Sequence, residues 1–234
     1  MRGDLPIGAE VAWTPSERPS RVELRGTHVL LRPVDGAADA EALHAVSHPP
    51  VGDPATWTYL PYGPFDDADH MRSLLDWAEG SEDPLFFALA TLPERRPAGL
   101  ASYLRITPEF GVLEIGHIWL GKPLRRTTAA TEAIYLLSRH AFDDLGYRRL
   151  EWKCDALNAA SRRAAQRFGF RFEGVFRNHM VVKGRNRDTA WFAITDEEWP
   201  AIRRGYEAWM AFDNFGSEGC QRRSLAELMR ETRS

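Results

Sequence analysis

The sequence predicts a layered α/β domain with a mixed, mostly antiparallel sheet and helices on both faces. Three observations carry this expectation. Strand-like and helix-like segments run in the order β-α-α-β-β-β-α-β-α-β-β, and alternation of this kind packs helices against a sheet. Three strand patterns follow one another at Leu85–Thr91, Ala98–Ile106 and Val112–Leu120 with only short turns between them, which makes an antiparallel meander and excludes a purely doubly wound sheet. Residues 127–142 carry the strongest helical stripe, with Ala130, Ala133, Ile134, Leu137 and Ala141 on one face.

Taken in order, residues 1–22 hold Pro6, Pro15 and Pro19 with little periodicity and read as an irregular extension anchored by Trp13. The stretch Met1–Pro6 lacks the apolar core of a signal peptide. His28–Pro33 is a strand stopped by its proline. A helix follows Asp35, with Ala38, Ala42, Leu43 and Val46 at helical spacing, and His48-Pro-Pro50 ends it. Residues 48–65 form a loop rich in proline and aromatic residues. Asp66 or Asp67 caps the next helix, whose stripe is Met71, Leu74, Leu75 and Ala78 and whose end is Gly80. After the meander and the 127–142 helix comes a strand at Arg149–Cys154. A short helix then runs from its cap Asn158 to Phe168, closed by Gly169. Strand patterns at Phe170–Glu173, Arg177–Val182 and Thr189–Ile194 enclose a turn at Lys183–Asn186, and Asp196 is placed to cap a last helix ending near Met210.

The 234 residues suggest one domain with extensions, divided as 1–22, 23–210 and 211–234. Thirty basic residues against 33 acidic ones leave a net charge of −3, which removes the case for a broadly basic nucleic-acid binder. The longest apolar stretches, such as Leu85–Leu92, are far too short to span a membrane. Cys154 and Cys220 make no disulfide framework, and no Cys/His group has zinc spacing, so no metal is expected and a reducing cytoplasm fits.

The segment Leu120-Gly-Lys-Pro-Leu-Arg-Arg-Thr-Thr-Ala-Ala130 joins a strand to the strongest helix. Such a join aims free backbone N–H groups and the positive end of the helix dipole at one point, which suits a phosphate. Arg125 and Arg126 add charge, Thr127 and Thr128 add hydroxyls, and Ala129 and Ala130 permit close approach.

Arg125-Arg-Thr-Thr-Ala-Ala130, with Thr131-Glu-Ala133 after it, resembles the acetyl-CoA loop and cofactor helix of the GNAT acetyltransferase superfamily. Asn158-Ala-Ala-Ser161, Phe168-Gly-Phe170 and Glu173-Gly174 resemble the signature of its RimJ/RimL branch; Asp188, Arg32-Pro33 and Glu114-Ile-Gly116 agree. The resemblance covers roughly residues 24–210 and implies the GNAT fold, with the sheet splayed between its fourth strand (112–120) and fifth (149–154). It departs at Arg126 and Thr128, where the family usually has glycine. A Cβ at those places favours αR-compatible backbone.

The resemblance implies acetyl-CoA as cofactor, its pantetheine arm held by the main chain of Ile118, Trp119 and Leu120. The N–H groups from Arg126 to Thr131 hold its pyrophosphate beside Arg125, and Asn158 bonds a pantetheine amide. Arg162 or Arg163 meets the ribose phosphate. Ser161 donates a proton to the departing thiolate. The base is Glu114, directly or through water, or else His117. Strict alternation sets Glu114 and His117 on opposite faces, and a bulge would bring them together. Trp57, Tyr59, Tyr62 and Phe65 are placed either to wall an acceptor site or to cover core beneath a long loop. Arg185-Asn-Arg187 either attracts an acidic acceptor or decorates a turn.

The implied activity is acetyl transfer to a primary amine, on a peptide N-terminus or a small molecule, by a monomer or homodimer. A bulkier acyl-CoA, or acyl-CoA binding without turnover, are the competing readings.

Overall fold

The alternating apolar runs pair into one eight-stranded sheet, seen in a computed structural model that describes residues 5–233. Residues 1–4, the start of the expected N-terminal extension, and residue 234 lie outside the described residues. The strands are β1 (Leu24–Arg25), β2 (Val29–Pro33), β3 (Leu85–Thr91), β4 (Arg96–Thr107), β5 (Val112–Leu120), β6 (Arg149–Asp155), β7 (Arg171–Val182) and β8 (Arg185–Thr195). They lie in the order β1-β2-β3-β4-β5-β6-β8-β7. Every pair is antiparallel except β5 with β6. Helices α1 (Gly36–Ser47), α2 (Ala68–Gly80), α3 (Thr128–Arg139), α4 (Ala159–Arg167), α5 (Trp199–Met210) and α6 (Leu225–Arg233) complete the fold. The two-residue β1 went unforeseen, so the expected fourth and fifth strands are β5 and β6.

Period-two alternation sorts the sheet's side chains into two cores. Phe87, Leu89, Tyr103, Leu113 and Ile115 pack with α3, α5 and α6. Phe86, Ala88, Leu100 and Trp119 pack with Leu43 of α1 and with Met71 and Leu75 of α2. Asp35 caps α1 by accepting from Ala38 N at 2.9 Å, and Asp67, rather than Asp66, caps α2 by accepting from His70 N at 2.8 Å. The start of α5 differs from expectation. Glu198 Oε2 accepts from Thr195 N at 3.1 Å while Thr195 O accepts from Glu198 N, also at 3.1 Å. Asp196 reaches only the amide of its neighbour Glu197.

Glu132 fastens α3 to the turn before β2. Its carboxylate accepts from the amides of Thr27, His28 and Val29 at 2.7–3.1 Å. Both terminal segments also dock. Trp13 donates to Glu109 O at 2.9 Å and lies under the Arg148 guanidinium. In α6, Leu225 and Met229 are buried, and a Cβ on Gly205 of α5 would stand 2.6 Å from Met229 Cγ. The hairpin turn between β7 and β8 is tighter than expected. Lys183 and Gly184 alone form it, with φ of 49° and 72°, the signature of a primed two-residue turn. The two strand patterns before it are one strand, β7, whose register shifts between Phe172 and Gly174 and again between Phe176 and Met180.

Candidate active site

β5 and β6 pair only at Val112↔Arg149, Leu113↔Leu150 and Glu114↔Glu151, then separate. Beyond Glu114 the edge of β5 is free of a strand partner on that side. The gap opens into a cleft of about 260 Å³, lined from β5 by Glu114 through Ile118 and from β6 by Trp152 through Asp155.

The register of β4 against β5 slips between Leu100 and Ser102, and His117 takes φ 50°. This bulge cancels strict alternation. Glu114 and His117 both line the cleft, and His117 packs against Phe86 and stacks on Tyr62 on the α1/α2 face.

Glu114 is buried. Lys153 Nζ lies 3.2 Å from its Oε2 and Arg105 Nε 3.9 Å, but no donor meets Oε2 at hydrogen-bonding angles. Burial pushes its pKa above the ordinary carboxylate value, with Lys153 and then Arg105 opposing. Lys153, 4% exposed, also lies 2.6 Å from Glu151 and sits 3.8 Å above the Trp191 ring. His117 Nδ1 is 3.0 Å from the Tyr62 hydroxyl. Burial, with help from the charge of Arg187, lowers the His117 pKa to about 4, so the ring is neutral at neutral pH.

On the other wall, Asn158 caps α4 by accepting from Ser161 N at 3.0 Å. That occupies its Oδ1, while Asn158 itself lines the cleft. Ser161 Oγ accepts from Trp152 Nε1 at 3.0 Å. The Ser161 hydroxyl also lies beside the Cys154 thiol, opposing the upward push of burial on that thiol's pKa. The Arg162 guanidinium is occupied by Ala156 O and the Phe172 ring, while Arg163 is exposed.

The loop before α3 departs from the expected backbone. Arg126 takes φ 61°, so its Cβ is accommodated in the left-handed region and not in αR-compatible backbone. Thr127 is the cap, accepting from Ala130 N at 3.3 Å, and Thr128 is the first helical residue. The amides of Arg126, Thr128 and Ala129 meet no acceptor among the described residues. Free amides at a helix start, beside a left-handed residue, fit a pyrophosphate. Arg125 is turned away, donating to Leu120 O at 2.8 Å and Thr56 Oγ1 at 2.5 Å. The Thr131 hydroxyl accepts from Arg167 at 3.1 Å and is buried.

The aromatic loop divides. Trp57 is 0% exposed and centres the α1/α2 core between Phe65 and Trp119. It belongs to the core and not to an acceptor wall. Tyr62 and Phe65 pack behind the cleft, with Tyr62 reaching it only through His117. Tyr59, 37% exposed, lines the cleft itself with Thr56 and Leu60. Lys183 pins this loop by donating to Trp57 O, Tyr62 O and Gly63 O at 2.9, 3.1 and 2.6 Å.

Arg187, one of the pair expected either to attract an acidic acceptor or to decorate a turn, lines the cleft, as do Lys153, Arg105 and His179, which were missed as site residues. The period-two run Glu151-x-Lys153-x-Asp155 in a strand bounded by core residues carried a signal, since one face of that strand is charged where a helix-covered sheet should be apolar. Arg105 and His179 carried none, because each is placed by a bulge. Among the described residues no group of side chains could hold a metal, and no helix is long and apolar enough to cross a membrane.

The family model for the acetyltransferase (GNAT) domain matches residues 28–171. A GCN5-related N-acetyltransferase from Brucella melitensis is 45% identical, with a TM-score of 0.90 over 94% of this chain and 99% of that one. A crystal structure of a probable GNAT acetyltransferase from Chromobacterium violaceum is 39% identical, with a TM-score of 0.76 over 84% of this chain and all of that one. The uncharacterized N-acetyltransferase p20 of Bacillus licheniformis is 26% identical over 152 residues, 63% of this chain and 84% of its own length.

Proposed function

The chain belongs to the GNAT acetyltransferase family, N-acetyltransferases that use acetyl-CoA, and on that premise we propose how its cleft works. The observation that carries the reading is the parting of β5 from β6 at Glu114. It exposes main-chain groups on one strand edge, with Ser161 on one wall and Glu114 on the other.

Bound acetyl-CoA supplies an acetyl group activated as a thioester. The main chain of Ile118, Trp119 and Leu120 binds the pantetheine arm along the free edge of β5. The amides of Arg126, Thr128 and Ala129 hold the pyrophosphate, and Asn158 Nδ2 orients an amide of the arm. Glu114 accepts the proton released by the attacking amine, directly or through one water. Its raised pKa brings it nearer the working pH of a general base. Ser161 Oγ, oriented by Trp152 Nε1, holds the proton needed by the departing sulfur. Tyr59 forms the rim over the acceptor. The Asn158-Ala-Ala-Ser161 cap with Glu173-Gly174 favours the RimJ/RimL-like branch.

Calorimetry with CoA, followed by a thiol-release assay over a panel of primary amines, tests this reading. Binding with turnover of at least one amine is expected. Absence of binding at millimolar CoA would remove it.

A further inference from the structure

We propose that Arg187 binds a carboxylate carried by the amine acceptor, so that the enzyme selects amines bearing a nearby acidic group. This rests on the acetyltransferase reading above and names the substrate class of the same cleft.

The sheet register places Arg187 on the acceptor face. Glu114 pairs with Glu151, Lys153 with Trp191, and Asp155 with Thr189. Counting by twos along β8, Arg187, Thr189 and Trp191 share the face of Lys153 and Glu114. Arg187 lines the cleft, and its Nε is buried without a hydrogen-bond partner. No ion pair or ring contact engages its guanidinium among the described residues.

The neighbouring charges are already matched. Lys153 lies between Glu114 and Glu151, and Arg105 stands 3.9 Å from Glu114. Asp188 accepts from Asn178 N at 2.7 Å and Asn186 Nδ2 at 3.0 Å, and Asp155 accepts from Leu157 N at 2.8 Å. Arg187 is therefore a cation left over in a cleft of an otherwise acidic chain. Its charge is felt there, adding to burial in lowering both His117 and His179.

A half-buried guanidinium whose Nε is buried and unpartnered, with no acid beside it, is an arrangement that a ligand completes. Its planar fork matches one carboxylate through two parallel hydrogen bonds. A phosphate dianion would require further uncommitted donors, and the other cleft cations are engaged. Glu114 faces the amine end of the same ligand. A molecule with an amine at one end and a carboxylate at the other complements both. The cleft of about 260 Å³ admits a single amino acid or the first residue of a peptide. The carboxylate is then the α-carboxylate of a free amino acid or an acidic side chain at a peptide N-terminus.

The full chain, Arg187→Gln and Arg187→Lys are compared in the thiol-release assay with matched acceptors. One pair is phenylalanine and phenylalanine amide; the other is aspartyl-alanine amide and asparaginyl-alanine amide. Rates are expressed per neutral amine. The wild-type chain is expected to favour the carboxylated member of one pair by about 30-fold or more in kcat/KM, and that pair identifies the source. Arg187→Gln collapses the ratio, and Arg187→Lys keeps part of it. Equal rates within both wild-type pairs, or an unchanged ratio in Arg187→Gln, overturn the proposal. So does a loss of CoA affinity in Arg187→Gln as large as the loss of preference, which would assign the guanidinium to the cofactor. If the wild-type chain binds CoA but acetylates no amine, the functional reading fails. Calorimetry of the CoA-loaded chain with N-acetylphenylalanine, N-acetylaspartyl-alanine amide and their uncharged counterparts then decides the inference. Stronger binding of the acid in either pair supports it, and equal binding in both ends it.

Discussion

Replacing Glu114 by Gln removes the proposed base and leaves its surroundings able to persist. Lys153 keeps Glu151 at 2.6 Å, and the side chain keeps its volume in a buried site. A general base contributes about 10²–10⁴-fold, or about 3–5 kcal/mol of barrier, so kcat should fall by that factor while acetyl-CoA affinity stays near its wild-type value. The pH profile carries the sharper information. Burial raises Glu114 above the ordinary carboxylate value. As pH falls through that raised pKa the carboxylate takes up a proton, and kcat should decline with an acidic limb centred above the usual Glu range. His117, lowered to about 4, would place its limb near that value. The acceptor amine also loses reactivity on protonation, but its limb moves with the amine used, whereas an enzyme limb stays fixed. Measuring kcat against pH with two saturating amines of different basicity separates the two. In Glu114→Gln the fixed limb should disappear. Full activity with an unchanged limb would refute the assignment, and a limb near pH 4 abolished by His117→Ala would transfer the role to His117.

Three further outcomes are expected. Ser161→Ala should lower kcat by about 10²-fold or somewhat less, with acetyl-CoA affinity unchanged in calorimetry. Arg126→Gly should raise thermal stability by about 1 kcal/mol by relieving the left-handed backbone, and CoA affinity should hold because the amide remains; a drop in melting temperature would contradict this. Lys183→Met removes a charged donor shared by three carbonyls. It should loosen the Tyr59 rim by about 1–2 kcal/mol, seen as a higher KM for the amine without a matching change for acetyl-CoA.

The elements were legible because their signals are local. The apolar alternation at Leu85–Thr91 and the stripe from Ala130 to Ala141 each contain their own period. The loop before α3 and the Asn158–Ser161 cap were legible for the same reason, since a helix start is written within a few residues. The acceptor side was not. Trp57 and Tyr59 stand two residues apart in one loop, yet one is core and the other rim. Only the long-range bonds from Lys183 and the packing on Trp119 separate them. The Arg126 conformation was also hidden, because a non-glycine residue in the left-handed region is a tertiary outcome that residue type argues against.

The left-handed residues gather around the candidate site. Non-glycine positive φ occurs among the described residues at Arg95, Arg105, His117, Arg126, Asn178 and Lys183. All but Arg95 border the cleft or lie in the loop before α3. Each costs on the order of 1 kcal/mol, and specific bonds hold several in place. Asp83 accepts from the amides of Arg105 and Ile106 at 2.9 and 3.1 Å and fixes the β4 bulge that carries Arg105 beside Glu114. Asp188 accepts from Asn178 N at 2.7 Å and fixes the β7 bulge that brings His179 Nδ1 to 3.0 Å from Thr189 Oγ1. These bonds also account for Asp188: backbone and side-chain donors hold its pKa below the usual range, so it works as a permanent anion that sets backbone shape. In β5 the irregularity at His117 follows directly after pairing with β6 ends at Glu114. A strand paired on both edges resists an extra residue, because the ladder on the second side would break as well. The parting of β5 from β6, the gap proposed above to take the cofactor, thus removes the constraint against the bulge, and the bulge in turn brings His117 onto the face that carries Glu114.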